Sequence, residues 1–353
     1  MPVPTIEWVG GVEGSARIID QTLLPLRKKF IYLRDVKAMW KAIRSLQVRG
    51  APALGIAAGF GILLGLKKTR AKDYKELARQ IKKTARYIGS ARPTAVNLFW
   101  GLERMEAAAQ RHRTKPVPEI RKALLAEALK ILKEDKAVCR KIGRNGARLI
   151  KKGMRILTHC NAGGLATADF GTALGVLFHA KKERKNIEVF VDETRPLLQG
   201  ARLTSWELLQ AGISATLITD STAAMLMHER QIDCIIVGAD RIARNGDAAN
   251  KIGTYSLAVL ARAHKIPFYV AAPVSTFDLS IKSGKDIPIE ERAADEVREV
   301  SGKRIAPQKI QVYNPAFDVT PARLISAIIT ERGIIRRPNT AKIKNALQDE
   351  PSG

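Results

Sequence analysis

Acidic residues are scarce in this chain of 353 residues: 34 Asp and Glu stand against 60 Lys and Arg, a formal charge of +26. Cysteine is scarcer still. The three that exist, Cys139, Cys160 and Cys234, form no CxxC pair, which argues against a disulfide framework and for a reducing compartment, the cytoplasm. No apolar run reaches the roughly 18 residues of a membrane span, and MPVPTIEWVG lacks the basic and apolar regions of a signal peptide. No membrane association is expected. The five histidines, His112, His159, His179, His228 and His264, show no HExxH or comparable ligand spacing and no carboxylate cluster beside them, so neither a metal nor another cofactor is expected. A GxSxG elbow is missing too, which disfavours serine-hydrolase chemistry. The positive charge could serve nucleic acid, an anionic substrate or solvation. Its blocks, at 67–87, 111–115, 181–185 and 336–344, are scattered and are not interleaved with aromatics in the manner of a base-stacking platform. They read as solvated helix faces, and nucleic acid is not expected as a partner.

The hydrophobic share is 46%, enough to fill the cores of two domains. TIEWVGGVEGSARIIDQTLLP alternates around Gly10-Gly11 and predicts a short β hairpin with Trp8 and Ile18 inward. Helical spacing follows at 35–47, 48–66, 71–90, 91–105 and 118–150, with Pro93 set at a helix start. From Met154 onward the rhythm becomes strand, turn, helix, the mark of a parallel sheet. Strands are predicted at 155–159, 187–192, 214–220, 232–238 and 267–273. The basic tail after Arg336 reads as loosely ordered. These patterns divide the chain into a mainly helical domain, 1–125, and an α/β domain, 126–353.

Four stretches concentrate polar chemistry at the predicted turns. In IDCIIVGADRIARNGDAANKIGTY (232–255) a buried strand ends at Gly238, and Asp240 stands just beyond it. Asn245-Gly246-Asp247 makes a turn, and Ala248 to Lys251 lead into a helix. Ligands of open α/β sheets bind outside the carboxyl ends of the strands, so Asp240, Asn250 and Lys251 are expected to face one crevice. In THCNAGGLATADFGTALG (158–175) glycines precede a helix, where exposed N–H groups can hold an anion. A thiol placed there, Cys160, would have a lowered pKa and could act as base or nucleophile. VDETRPLLQGARLT crowds Asp192, Glu193, Arg195 and Gln199 into one connector. VRGAPALG and ARPTAVNLFWG each set one arginine, Arg49 and Arg92, beside a proline turn, aimed as a guanidinium is aimed at a phosphate.

Long runs among these, with DQTLLP (20–25), RGAPALG (49–55), VAAPVSTFD (270–278) and NPAFDVTPARLI (314–325), make the chain resemble one family over nearly its whole length. That family holds methylthioribose-1-phosphate isomerases, ribose-1,5-bisphosphate isomerases and the regulatory subunits of initiation factor 2B. The resemblance implies a Rossmann-like C-terminal α/β domain, a smaller helical N-terminal domain and a homodimer. It assigns Arg49, Gly50, Ala51, Arg92, Gln199, Asn250 and Lys251 to binding a small phosphorylated sugar, Asp240 as proton donor and Cys160 as its catalytic companion. The implied reaction converts 5-methylthioribose 1-phosphate into 5-methylthioribulose 1-phosphate, a step of methionine salvage; ribose 1,5-bisphosphate and 5-deoxyribose 1-phosphate are the alternative substrates, and a non-catalytic regulatory subunit is the alternative role.

Elementary chemistry asks for the same two groups. A sugar phosphorylated on its anomeric oxygen cannot open its ring unaided, so an acid must protonate the ring oxygen. An aspartic acid at its ordinary pKa of about 3.9 holds its proton about one part in a thousand at pH 7, so Asp240 must be partly withdrawn from water. Transfer of hydrogen between C2 and C1 then needs a second group, whether through an enediolate or a hydride shift.

Overall fold

The computed structural model of the chain describes residues 3–348 and divides into two compact units. Among these residues one unit is 3–139 with Gly164–Gly171, and the other is built of Arg140–Gly163 and 172–348.

The N-terminal unit opens with the expected hairpin, β1 (Ile6–Val9) and β2 (Ser15–Ile19), to which β3 (Phe30–Leu33) adds a third antiparallel strand. Ile18 is fully buried, and half-buried Trp8 lies with its ring 5.4 Å from that of Phe60. Five helices follow: α1 (Val36–Arg44), α2 (Ala51–Leu66), α3 (Tyr74–Gly89), α4 (Val96–Arg111) and α5 (Val117–Ala147). Asp35 and Asp73 cap α1 and α3 by accepting the N–H groups of Ala38 and Glu76. α2 is apolar all round and buried almost throughout, as a central core helix must be. α3 buries Leu77, Ile81, Ala85 and Ile88 and turns Lys75, Arg79, Lys82, Lys83 and Arg86 to solvent. Pro93 does not start a helix: α4 begins at Val96. The Ala95 N–H donates to the Arg92 carbonyl at 3.1 Å, which puts Pro93 second in a β-turn, a position its fixed φ suits. The boundary expected between residues 125 and 126 falls inside α5, which runs unbroken to Ala147.

The C-terminal unit alternates strands and helices: β4 (Arg155–Thr158), α6 (Ala173–Lys182), β5 (Glu188–Asp192), α7 (Ser205–Gln210), β6 (Ser214–Ile218), α8 (Thr222–His228) and β7 (Cys234–Val237). Then come β8 (Arg241–Ala243), β9 (Ala248–Lys251), α9 (Thr254–Ala263), β10 (Phe268–Ala271), β11 (Phe277–Asp278), α10 (Asp295–Arg298) and the small ladder β12 (Glu299–Val300) with β13 (Lys303–Arg304). β14 (Phe317–Thr320), β15 (Ala327–Thr330), β16 (Gly333–Arg336) and α11 (Thr340–Gln348) complete it. The main sheet has the order β16-β15-β10-β7-β4-β5-β6, parallel except for β16. All five predicted strands lie in it, and the fold is the Rossmann-like α/β arrangement expected of this half. Every residue of β7 is buried, in keeping with an unbroken apolar run covered on both faces.

Two expectations fail here for nameable reasons. Ala248 to Lys251 do not lead directly into a helix; they form β9, paired with β8 on one side and β14 on the other. Asn245-Gly246-Asp247 is therefore a hairpin turn, with Gly246 at φ 93° and the Asn245 Oδ1 accepting the Asp247 N–H. The tail is ordered through Gln348: Asn339 caps α11 by accepting the Lys342 N–H, and Ile343 is fully buried. One apolar anchor on a cap outweighs the basic composition that suggested a loose end.

Candidate active site

The strand order fixes where chemistry can sit. From β4 the chain winds outward through β5 to β6, then returns to β7 on the other side of β4 and winds outward through β10 to β15. β4 and β7 therefore flank the point where the winding reverses, and the crevice between their carboxyl ends is where such sheets hold ligands. His159 and Cys160 follow β4, and Gly238, Ala239 and Asp240 follow β7. The Thr158 hydroxyl donates to the Ile236 carbonyl at 2.8 Å, tying the two ends together. Gly238 must lack a side chain, because a Cβ there would come within 2.8 Å of the Ala162 methyl.

Asp240 is half-buried, and its N–H donates to the Ala249 carbonyl at 2.9 Å. β8 pairs with β9 as Arg241 with Ala249 and Ile242 with Ala248. The bond from Asp240 falls one residue outside that register, so the regular ladder begins only at Arg241. Asn250 is buried and its amide donates to the Thr254 hydroxyl at 3.0 Å. Alternation along β9 sends the neighbouring Lys251 to the other face, where its buried ammonium lies 4.8 Å from the centre of the Phe317 ring. Gln199 is buried beyond β5, and its Oε1 has no hydrogen-bond partner among the described residues.

Cys160 does not begin a helix, contrary to expectation. Its φ is +62°, the left-handed region that L residues seldom occupy. Gly163 serves close packing: a Cβ on it would overlap the Glu207 carboxylate and Leu174. Glu207 is itself buried and accepts the Asn161 amide at 2.8 Å. α6 starts only at Ala173.

His159 is the residue that sequence reasoning left without a role. Its side chain is buried, with Nδ1 2.9 Å from the Asp192 carboxylate and Nε2 2.8 Å from the Ile252 carbonyl. Asp220 lies 4.0 Å from Nδ1 and accepts the N–H groups of Thr194 and Arg195. Both ring nitrogens thus face acceptors, an arrangement that favours the protonated imidazole. Burial pulls the imidazole pKa down, and the hydrogen bond and charge of Asp192, the Ile252 carbonyl and Asp220 outweigh it, for a net rise. Burial pushes Asp192 up to about 6 against the pull of His159. His159, Asp192 and Asp220 have a metal-like donor set, but their nitrogens and Asp220 oxygens are already engaged within the protein. The imidazole sits among these carboxylates where a cation would, and joins the ends of β4, β5 and β9. No spacing rule signals this trio, because its members come from three strands.

In the N-terminal unit, α2 and α4 run in the same direction and α3 runs against them. A Cβ on Gly55 would meet Asn97 and Trp100, and one on Gly101 would meet Gly55 and Ala58; Gly61 faces Ile88 while Gly65 faces Thr84. The starts of α2 and α4 therefore lie at one end of this unit, and with them Arg49, Gly50, Ala51 and Arg92, all half-buried. Gly50 has φ +94°, and a Cβ on it would overlap Ala166. That turn is held in the same unit, the carbonyls of Gly164 and Leu165 accepting from the Thr5 hydroxyl and the Gln21 amide. Two guanidinium groups beside two helix N-termini form an anion-attracting end.

Comparison with known proteins bears on what this arrangement does. A sequence model described as the initiation factor 2 subunit family matches residues 47–337. A methylthioribose-1-phosphate isomerase of Geotalea uraniireducens is 56% identical over 336 residues, 95% of this chain and 96% of that protein. A 5-deoxyribose 1-phosphate isomerase of Moorella thermoacetica is 52% identical over 349 residues, 99% of each. The crystal structure of 5-methylthioribose 1-phosphate isomerase from Pyrococcus horikoshii OT3 superposes with a TM-score of 0.89 at 45% identity, covering 98% of this chain and 96% of that one.

Proposed function

The chain belongs to the initiation factor 2 subunit family, and from that premise we propose that it is an aldose–ketose isomerase converting 5-methylthioribose 1-phosphate to 5-methylthioribulose 1-phosphate. The observation that carries the reading is the departure of Cys160 and Asp240 from adjacent parallel strands, β4 and β7, at the edge where the winding reverses. Asp240 protonates the ring oxygen and opens the furanose, and Cys160 serves the transfer of hydrogen between C2 and C1. In the N-terminal unit Arg49 and Arg92, with the backbone of Gly50 and Ala51, offer the positive charge that a phosphoryl dianion requires, and in the C-terminal unit Lys251 offers another cation. Gln199 and Asn250 offer amides to the sugar hydroxyls. Loss of anomeric phosphate would defeat the reaction, so the cations serve orientation and not departure of the phosphate.

The relative that acts on 5-deoxyribose 1-phosphate makes that sugar the second candidate substrate. A purely regulatory role has no use for a thiol and a carboxylic acid at one strand edge. The same reading includes a homodimer working in the cytoplasm in methionine salvage, without metal or cofactor, and leaves the basic helix faces to solvent. Among the described residues no helix is long and apolar enough to cross a membrane.

The test is turnover of the three sugar phosphates by the wild type, Cys160→Ser and Asp240→Asn. The expected result is conversion of 5-methylthioribose 1-phosphate by the wild type and a loss of at least about 10²-fold in kcat in each variant, the usual scale for removing a proton-transfer group. Normal turnover by Asp240→Asn would remove the acid assignment, and inactivity of the wild type on all three sugars would remove the function. Retention of deuterium from C2-labelled substrate separates hydride shift from exchange through an enediolate.

A further inference from the structure

Cys160 is held by two threonine hydroxyls whose donor and acceptor roles are fully determined. The Cys160 N–H donates to Thr194 Oγ1 at 2.8 Å, and that hydroxyl in turn donates to the Asp192 carbonyl at 3.1 Å. On the other side the Thr204 hydroxyl donates to the Cys160 carbonyl at 2.5 Å while accepting from the Asn161 amide at 3.2 Å. Both threonines are wholly buried. Thr194 is itself anchored, its N–H donating to Asp220 at 2.8 Å. The two hydroxyls therefore bracket both peptide groups of a residue whose φ is +62°, a conformation that the chain adopts only when its surroundings impose it. Fixing φ and ψ fixes the direction of the Cα–Cβ bond, and with it the reach of the thiol.

We propose that Thr194 and Thr204 are positioning residues that hold Cys160 in its left-handed conformation and so aim its thiol for the isomerisation. They act through Cys160 and need not touch the sugar phosphate. The proposal rests on the catalytic reading of Cys160, and its test separates the two.

Thr194→Val and Thr204→Val each replace a hydroxyl by a methyl of the same shape, and Thr194→Ser and Thr204→Ser restore the hydroxyl. With 5-methylthioribose 1-phosphate, each valine variant is expected to lose about 10²-fold in kcat, the scale of a misplaced reacting group, with KM within about 3-fold of wild type, since phosphate binding is untouched. Each serine variant recovers to within about 3-fold. Adding Cys160→Ser to Thr194→Val brings no further loss beyond that of Cys160→Ser alone. The second readout is the rate at which iodoacetamide alkylates residue 160 in the folded protein, Cys139 and Cys234 being fully buried; it changes in the valine variants and returns in the serine ones. Wild-type kcat in a folded valine variant overturns the proposal, as does failure of both valine variants to fold, which would make the hydroxyls structural. Should Cys160→Ser turn over normally, the catalytic reading of the thiol falls separately. The alkylation rate then decides the clamp, and a rate unchanged by valine refutes it.

Discussion

Gly253→Ala is the sharpest probe of the buried histidine. Gly253 has φ +103°, and a Cβ there would stand 2.9 Å from Cε1 and 3.0 Å from Nε2 of His159. Backbone strain at such an angle costs about 1–3 kcal/mol. The larger effect is on the ring, which must retreat by several tenths of an ångström and so stretch the 2.8 Å bond from Nε2 to the Ile252 carbonyl. A hydrogen bond from a charged donor contributes about 1.5–3 kcal/mol, so the expected total is roughly 3–5 kcal/mol. Gly153 supplies the control, because it too has positive φ, +77°, but nothing lies within 4 Å of its Cβ position. Gly153→Ala carries strain alone, about 1–2 kcal/mol. Urea unfolding of both variants at pH 7, with kcat on the same samples, gives the comparison. Gly253→Ala is expected to lose roughly 2–3 kcal/mol more than the control and, because His159 immediately precedes Cys160, to lose turnover as well. Equal destabilisation by the two substitutions would refute the claim that His159 ties the end of β9 to the end of β4.

Three further outcomes are expected. Burial raises the Asp135 carboxyl to about 7, offset in part by the Ala168 N–H that it accepts at 2.7 Å. Because the folded pKa lies above the ordinary 3.8, this group's contribution to stability is full below about pH 4 and drains away as pH rises through about 7. The shift corresponds to at most about 4 kcal/mol, and roughly 2 kcal/mol is expected of a partly buried side chain; urea midpoints from pH 4 to 8 should fall less steeply in Asp135→Asn than in wild type. Asp247→Ala removes the acceptor for the N–H groups of Gly284 and Ala322 and for the Asn245 amide, at 2.9, 2.8 and 2.9 Å, and should cost about 2–4 kcal/mol in urea unfolding. Cys160→Gly relieves a left-handed residue while adding chain entropy, so its stability should stay within about 1 kcal/mol of wild type while turnover is lost.

What the residues reveal in order along the chain is what local physics controls. Cys234-Ile235-Ile236-Val237 reads as a buried strand because nothing in it tolerates water, and α3 reads as amphipathic because Leu77, Ile81, Ala85 and Ile88 recur at helical spacing. Strand order is different: β4 neighbours β7 only because the chain first builds β5 and β6 elsewhere, and no window of residues records that return. β9 is hidden from a local reading for a related reason. Ala-Ala-Asn-Lys has little strand propensity of its own, and pairing with β8 and β14 on its two sides overrides that preference. At the site, Cys160 and Asp240 are legible as polar residues at strand ends. The His159–Asp192 contact spans two strands, and the left-handed angle of Cys160 is a property of the clamp around it.

That angle also bears on what the fold is for. The family's description names an initiation factor, whereas the curated relatives named above are isomerases, and one fold carries both. Similarity of backbone therefore cannot choose between them, and the choice falls to individual side chains. A chain that needed only the turn after β4 would do better with glycine at position 160, since glycine enters the left-handed region without steric cost. Cysteine there is the more expensive residue, and two buried threonines, an asparagine and an Asp220 contact are committed to holding it. Strain kept in place by so many fixed groups is intelligible when the thiol has work to do, and Asp240 at the end of the adjacent strand is the group that would share it.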